Sequence, residues 1–196
     1  MKLRRMLPRL FLESLLIILS VLVALAVNDW RAGRERRTRT AEARQAFARE
    51  ISANREQLAS DQILPHHRRL QAIYRKAVDE NAADPGALFD TGLHPPALRD
   101  AAWRAFSGGT IFADFPAERV LLLSDTYHAQ SDLERKNAEF LTLLSVPRAD
   151  RETPSYQRDV ARAIWMFLND LVPAEERLTR NYEQVLAKME VSEDGK

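Results

Sequence analysis

Cysteine is absent from the sequence, so no disulfide can staple the fold and no thiolate can hold a metal or attack a substrate. That absence identifies no compartment. No stretch alternates apolar and polar residues with a period of two, which removes the signal for half-buried strands and leaves an all-α reading. The motifs that mark familiar enzymes are missing as well: a phosphate-cradling glycine loop ending in lysine, H-E-x-x-H, G-x-S-x-G and a dinucleotide fingerprint. The expectation is a protein that is not an enzyme and carries no cofactor. Proline does not occur between Leu10 and Pro65, so nothing in that interval must stop a helix.

What is present begins with Leu10 to Val27, apolar except for Glu13 and two serines. About 20 apolar residues at ~1.5 Å rise each cross the hydrocarbon of a bilayer, and these eighteen with a snorkelling flank suffice. The stretch reads as a transmembrane helix that anchors everything after it. A cleaved secretory signal is the rival, since Lys2 to Arg9 is a positive n-region and Ala24-Leu25-Ala26 fits a small-x-small cleavage site. Against it, Glu13 interrupts the apolar region, the run continues to Val27, and arginines follow at once. The uncleaved anchor is the expectation.

The net charge of +1 hides an asymmetry. Residues 1–49 hold eleven basic and four acidic side chains, a balance of +7, which leaves −6 for residues 50–196. The basic collar Arg31, Arg34, Arg36, Arg37 and Arg39 suits anionic lipid head groups. Nucleic acid is not expected, because the arginines flank an apolar span and lack interleaved stacking aromatics. Both flanks of the span are basic, so the positive-inside bias leaves the side occupied by the distal domain open.

Around the span, at about 100° per residue, Glu13, Ser20, Ala24 and Asn28 fall within about 80° of one another. A small and polar stripe of this kind lets backbones approach and polar groups pair in lipid, with Ser20 and Ala24 as a small-x-x-x-small step. Self-association, or pairing with a partner transmembrane helix, follows as an expectation.

The membrane helix should run on toward residue 63, with Gly33 as the expected bend and Ala43, Phe47, Ile51, Asn54 and Leu58 as one buried face. Asn54 on that face either sets register in an oligomer or finds a partner within its own fold. A second helix is expected over 66–81, with Leu70, Ile73, Tyr74, Ala77 and Val78 inward and Asp84-Pro85-Gly86 beyond it. A loop over 82–95 leads to a short helix opened by Pro96 and closed by Ser107-Gly108-Gly109. Ile111, Phe112 and Phe115 read as an apolar plug. A long helix over 117–146 has Val120, Leu121, Leu123, Leu133, Phe140, Leu141 and Leu144 as core candidates and ends at Pro147. Thr153-Pro154 then caps a helix carrying Val160, Ile164, Trp165, Phe167, Leu168 and Leu171, which Pro173 breaks or kinks before Leu178, Tyr182, Val185 and Met189 continue. The architecture is an N-terminal transmembrane helix continuing into a long juxtamembrane helix and a bundle of about five helices with antiparallel neighbours. Its boundaries are a basic tail 1–9, a transmembrane helix 10–30, an arginine-rich helix 31–62, a bundle 63–191 and a disordered tail 192–196.

The run Leu12-Glu13-Ser14-Leu15-Leu16-Ile17-Ile18 leading to Ala24-Leu25-Ala26-Val27-Asn28-Asp29-Trp30-Arg31 resembles the opening of a family of uncharacterised bacterial single-span membrane proteins. Ala101-Ala102-Trp103-Arg104-Ala105-Phe106-Ser107-Gly108-Gly109 and Leu123-Ser124-Asp125-Thr126-Tyr127 are similar to later parts of that group. The resemblance implies an uncleaved single-pass anchor in the bacterial inner (cytoplasmic) membrane and a helical domain, and it supplies no catalytic residue.

One constellation bears on chemistry: Asp125, His128 and Asp132 at i, i+3 and i+7 present two carboxylates and an imidazole from one helix face, though charged solvated faces produce the same spacing. His66-His67 suit a helix start better than ligation, and His94 is expected at the surface. Trp103, Trp165, Phe106 and Tyr127 line either a pocket or the core. The function expected is a membrane-anchored interaction or scaffolding protein that self-associates. A pore-lining or membrane-sensing assembly is the alternative, and a membrane-tethered metal-dependent enzyme the third.

Overall fold

The computed structural model describes residues 3–80, 92–145 and 153–190, with side chains from Glu13 onward except Ser14, Leu144 and Glu190. The expected stop at Asp84-Pro85-Gly86, the end at Pro147, the tail 192–196 and the side chain of Leu144 lie outside the described residues. The elements are α1 (Leu3–Ala59), α2 (Leu64–Asp79), α3 (Ala101–Phe106), a 3-10 helix (Thr110–Asp114), α4 (Ala117–Ser145) and α5 (Pro154–Glu190). No strand occurs among the described residues, so the all-α architecture of a long N-terminal helix followed by a helical bundle holds. The chain divides into two units, Met1–Ala43 and Arg44–Lys196.

α1 starts at Leu3 rather than Leu10 and runs through Gly33 without interruption. In its last four turns Ala43, Phe47, Ile51, Asn54 and Leu58 are all fully buried, as their spacing requires. Phe47 is the hub of the aromatic packing, with ring centroids 5.7 Å from Phe106, 6.1 Å from Phe112, 6.4 Å from Phe115 and 6.1 Å from Tyr127. The apolar plug is therefore a 3-10 turn whose rings close over α1. Truncating such a centre costs about 3–5 kcal/mol.

After Ala59 the chain turns through Ser60 N–H to Gln57 carbonyl and Ile63 N–H to Ser60 carbonyl bonds, and Pro65 occupies the first turn of α2, where no intrahelical N–H is needed. The inward face of α2 is rotated from the expected one. His66, His67, Leu70 and Tyr74 are buried, whereas Ile73 is 47% exposed and Ala77 and Val78 are half-buried. α3 begins at Ala101, not at Pro96. Residues 92–100 lie outside regular structure; the backbone groups of Ala97 and Arg99 are bonded to α1 side chains and the Gly92 carbonyl to His66 of α2, as described below.

α4 buries Leu123, Thr126, Tyr127, Gln130, Leu133, Asn137 and Phe140, a stripe at spacings of three and four that is half polar. Leu121 and Leu141, expected in the core, face outward. Thr153 caps α5 through the Tyr156 N–H to its Oγ1 at 3.3 Å and the Gln157 N–H to its carbonyl at 3.0 Å. α5 then passes through Pro173 as one helix. An interior proline costs about 3 kcal/mol; burial of Leu168, Leu171 and Leu178 on the flanking turns, at about 1.5–3 kcal/mol each, exceeds it.

Pairings fix the directions. Glu50 meets Tyr127 and Asn54 meets Gln130, so the end of α1 and α4 run parallel. Glu118 meets Lys188, Gln130 meets Tyr182 and Phe140 stacks on Phe167, so α4 and α5 are antiparallel. His67 meets Glu175 while Ala72 shares a groove with Asn169, so α2 and α5 are antiparallel as well.

Candidate functional site

The apolar part of α1 is the first feature with functional content. Its most hydrophobic 18-residue window has a mean hydropathy of 1.8 and none of it is buried, and among the described residues it is the one helix long and apolar enough to cross a membrane. Leu15, Leu16, Ile17, Ile18 and Leu19 are each more than half exposed. The helix of a soluble core hides such a face; this one displays apolar side chains all round.

Within it, Glu13, Ser20, Ala24 and Asn28 are exposed. The Ser20 hydroxyl donates to the Leu16 carbonyl at 2.7 Å, so its proton is used inside the helix and only its oxygen lone pairs face outward. In the collar Arg34 lies over the Trp30 ring at 5.8 Å and Arg39 pairs with Glu35. Arg31, Arg36 and Arg37 are exposed and form no ion pair among the described residues.

The second feature is a polar clamp in the Arg44–Lys196 unit. Glu50, Asn54 and Gln57 stand four and three residues apart on α1 and take hold of the backbone of residues 97–102. The Gln57 amide, with its nitrogen turned to the Ala97 carbonyl, donates to it at 2.8 Å and accepts from the Ala97 N–H at 3.0 Å. The Asn54 amide donates to the Arg99 carbonyl at 2.7 Å and accepts from the Arg99 N–H at 2.8 Å. Glu50 accepts from the Ala102 N–H at 2.9 Å. Two side-chain amides thus pair with every second residue, as a neighbouring strand would. Asn54 finds its partners inside its own fold.

Behind the clamp Glu50 also accepts from the Tyr127 hydroxyl at 2.7 Å, and Gln130 Oε1 accepts from Asn54 at 3.2 Å and from the Tyr182 hydroxyl at 2.8 Å. Burial above all, with the adjacent Glu50, pushes the Tyr127 phenol far above its usual range, and burial does the same for Tyr182. Both stay hydroxyl donors. Trp103 stacks on Tyr127 with centroids 5.1 Å apart, and Phe106 packs on Phe47, so these rings belong to the packing around the clamp.

A histidine group holds the other end of the same segment. His66 Nε2 donates to the Gly92 carbonyl at 2.8 Å, which requires its proton on that nitrogen, and the exposed His94 ring stacks on His66 at 4.9 Å. Gly92 has φ +74°, a left-handed conformation that favours glycine, and a Cβ there would sit 3.3 Å from the His94 ring and press on it. His67 Nδ1 and Glu175 Oε1 are 2.8 Å apart with both side chains fully buried, and His67 Nε2 and Glu175 Oε2 have no hydrogen-bond partner.

The carboxylate and imidazole face of α4 is a surface network. Asp132 binds Arg135 at 2.8 Å and lies 3.6 Å from His128, whose side chain is 80% exposed. The Arg135 hydrogen bond above all, helped by the nearby charges of His128, Arg135 and Lys136, holds the Asp132 carboxyl below its usual range against the opposing effect of burial. Among the described residues no group of three or more histidine or acidic side chains is placed to hold a metal ion.

Compared with protein-family models, curated proteins and solved structures, the chain matches none of them.

Sequence reasoning found the exposed apolar span and the buried face of α1 but missed the clamp. A usable signal was present: Glu50, Asn54 and Gln57 share one helical face with Phe47 and Ile51 nearby, and polar residues at buried spacing demand polar partners.

Proposed function

We propose that the protein is a membrane-anchored helical interaction or scaffolding protein that crosses the bacterial inner membrane once and associates with copies of itself. The observation that carries this reading is the unburied apolar window of α1 followed directly by Arg31, Arg34, Arg36, Arg37 and Arg39. Leaving the apolar side chains of this 18-residue window in water at about 25 cal/mol per Å² would cost far more than the few kcal/mol by which a domain is stable, whereas a bilayer covers them. The collar then meets anionic head groups, at about 1 kcal/mol per basic side chain near the surface. The resemblance to uncharacterised single-span proteins agrees with this reading. Self-association rests on the Glu13, Ser20, Ala24 and Asn28 stripe.

The test is cross-linking of the full-length protein in native membranes, followed by affinity purification. The expected outcome is a membrane-integral protein resistant to carbonate extraction and a defined homo-oligomer that Ser20→Leu with Ala24→Leu disperses. A carbonate-soluble protein would overturn the anchor. A monomer at every expression level would overturn self-association.

A further inference from the structure

We infer that the groove between α4 and α5 is a binding site for a phosphate-bearing anion, built from Lys136, Arg177 and Arg180 with Arg135, Asn181 and Gln184. The groove has a volume of about 280 Å³ and takes its lining from both helices. Arg177, Arg180, Asn181 and Gln184 recur at spacings of three, one and three along α5, so they fall on one face, opposite the Asp132 to Lys136 turn of α4.

Charge decides the ligand. Four basic side chains line the groove against one acid, Asp132; Arg135 is taken up by Asp132 at 2.8 Å and Glu139 at 3.4 Å, which leaves the charges of Lys136, Arg177 and Arg180 uncompensated. Lys136, Arg177 and Arg180 form no ion pair among the described residues; Arg158 and Arg162 are unpaired as well, and what sets the three apart is that they line one groove. The concentration of positive charge is contrary to the surroundings, because residues 50–196 carry −6 overall. Uncompensated cations converging on one concavity repel one another, and a bound anion turns that repulsion into attraction.

A phosphoryl group suits these donors better than the carboxylates of an acidic peptide. It concentrates a charge of about −1.5 to −2 and three acceptor oxygens on one centre, whereas a peptide carries one charge per side chain along an extended chain. Guanidinium forks bind two oxygens at once, and the ammonium of Lys136 acts as a point charge. The space exceeds that of a single phosphate, and Asn181 and Gln184 add neutral donors and acceptors for the rest of the ligand. The same chemistry is offered by a soluble oligophosphate and by a phospholipid head group.

The experiment uses full-length protein in phosphatidylcholine nanodiscs, titrated with inorganic pyrophosphate and read by calorimetry at fixed ionic strength. Saturable binding is expected, and Arg177→Gln with Arg180→Gln should weaken it by at least about tenfold. Arg158→Gln with Arg162→Gln, on exposed positions of α5 outside the groove, should leave it unchanged. Both variants keep the fold, because all four side chains are exposed, and circular dichroism melts verify that. Repeating the titration in nanodiscs of equal parts phosphatidylcholine and phosphatidic acid separates the sources. Loss of pyrophosphate binding there assigns a lipid head group, and unchanged binding assigns a soluble ligand. Absence of saturable binding in phosphatidylcholine, an equal loss in both variants, or binding of a polyglutamate peptide in place of pyrophosphate would overturn the inference.

Discussion

His67 and Glu175 illustrate how much a single residue carries in this fold. Each is fully buried and each is the other's partner, so removing one leaves the other's polar group uncompensated in the core. His67→Leu alone should destabilise the Arg44–Lys196 unit by about 3–5 kcal/mol, whereas His67→Leu with Glu175→Leu should recover most of that loss, because replacing a buried pair as a unit removes both desolvation costs. Urea denaturation of the two variants checks this, and equal stabilities would refute it. Glu134 tests electrostatics at the surface. Burial, followed by the charge of Asp100, holds its carboxyl above the usual range. A raised value in the folded state favours the protonated form, so the stability it brings is present at acid pH and lost as pH rises through the folded value. Glu134→Gln should therefore raise the melting temperature near pH 7, and the gain should vanish below about pH 4, where the carboxyl is protonated folded or unfolded. Legibility at this scale was uneven. Asn54 was recognised as buried from its place between Ile51 and Leu58, but Thr126, Gln130 and Asn137 were not, because polarity disguised positions that the helical period alone would have turned inward.

Among the elements, α1 was the most legible and the 92–100 segment the least. The buried face of α1 follows from five residues at spacings of three and four, and the final turns of α5 from Leu178, Tyr182, Val185 and Met189, all buried as expected. α4 resisted the same reading because apolar Leu121 and Leu141 lie outside while Gln130 and Asn137 lie inside. Pro173 misleads in another way: a local breaker was outweighed by burial on both sides, a tertiary effect that no local rule contains. The start expected at Pro96 failed for a similar reason, since Gln57 and Asn54 compete for backbone groups that a helix would otherwise use. The clamp should be separable from the helix that carries it. Asn54→Ala leaves the Arg99 N–H without a partner and the Arg99 carbonyl with the Gln130 amide alone, 3.1 Å away, and should cost about 1–3 kcal/mol, with Gln57→Ala costing about 1 kcal/mol. Hydrogen exchange at the Ala97 and Arg99 amides should accelerate in the matching variant while the interior of α5 stays protected.

At the scale of the whole molecule, the chain joins a segment with no buried apolar residues in its span to a unit with a conventional core. Residues 44–196 contain the aromatic hub, the clamp and the buried pair, so this unit holds its own determinants of folding. A fragment beginning at Thr38 should be soluble without detergent and unfold in one cooperative transition, which circular dichroism melting with gel filtration would verify; aggregation of the fragment would contradict it. The opposing charges of the two parts were legible from residue counts alone. The clamp has a last consequence, which concerns how the sequence is free to change. Glu50, Asn54 and Gln57 hold only main-chain atoms of Ala97, Arg99 and Ala102, and the side chains of Ala97 and Arg99 are exposed. Relatives of this protein are therefore free to vary at 97 and 99, with proline alone forbidden because it lacks the N–H, while the three residues of α1 that read the backbone must stay as they are.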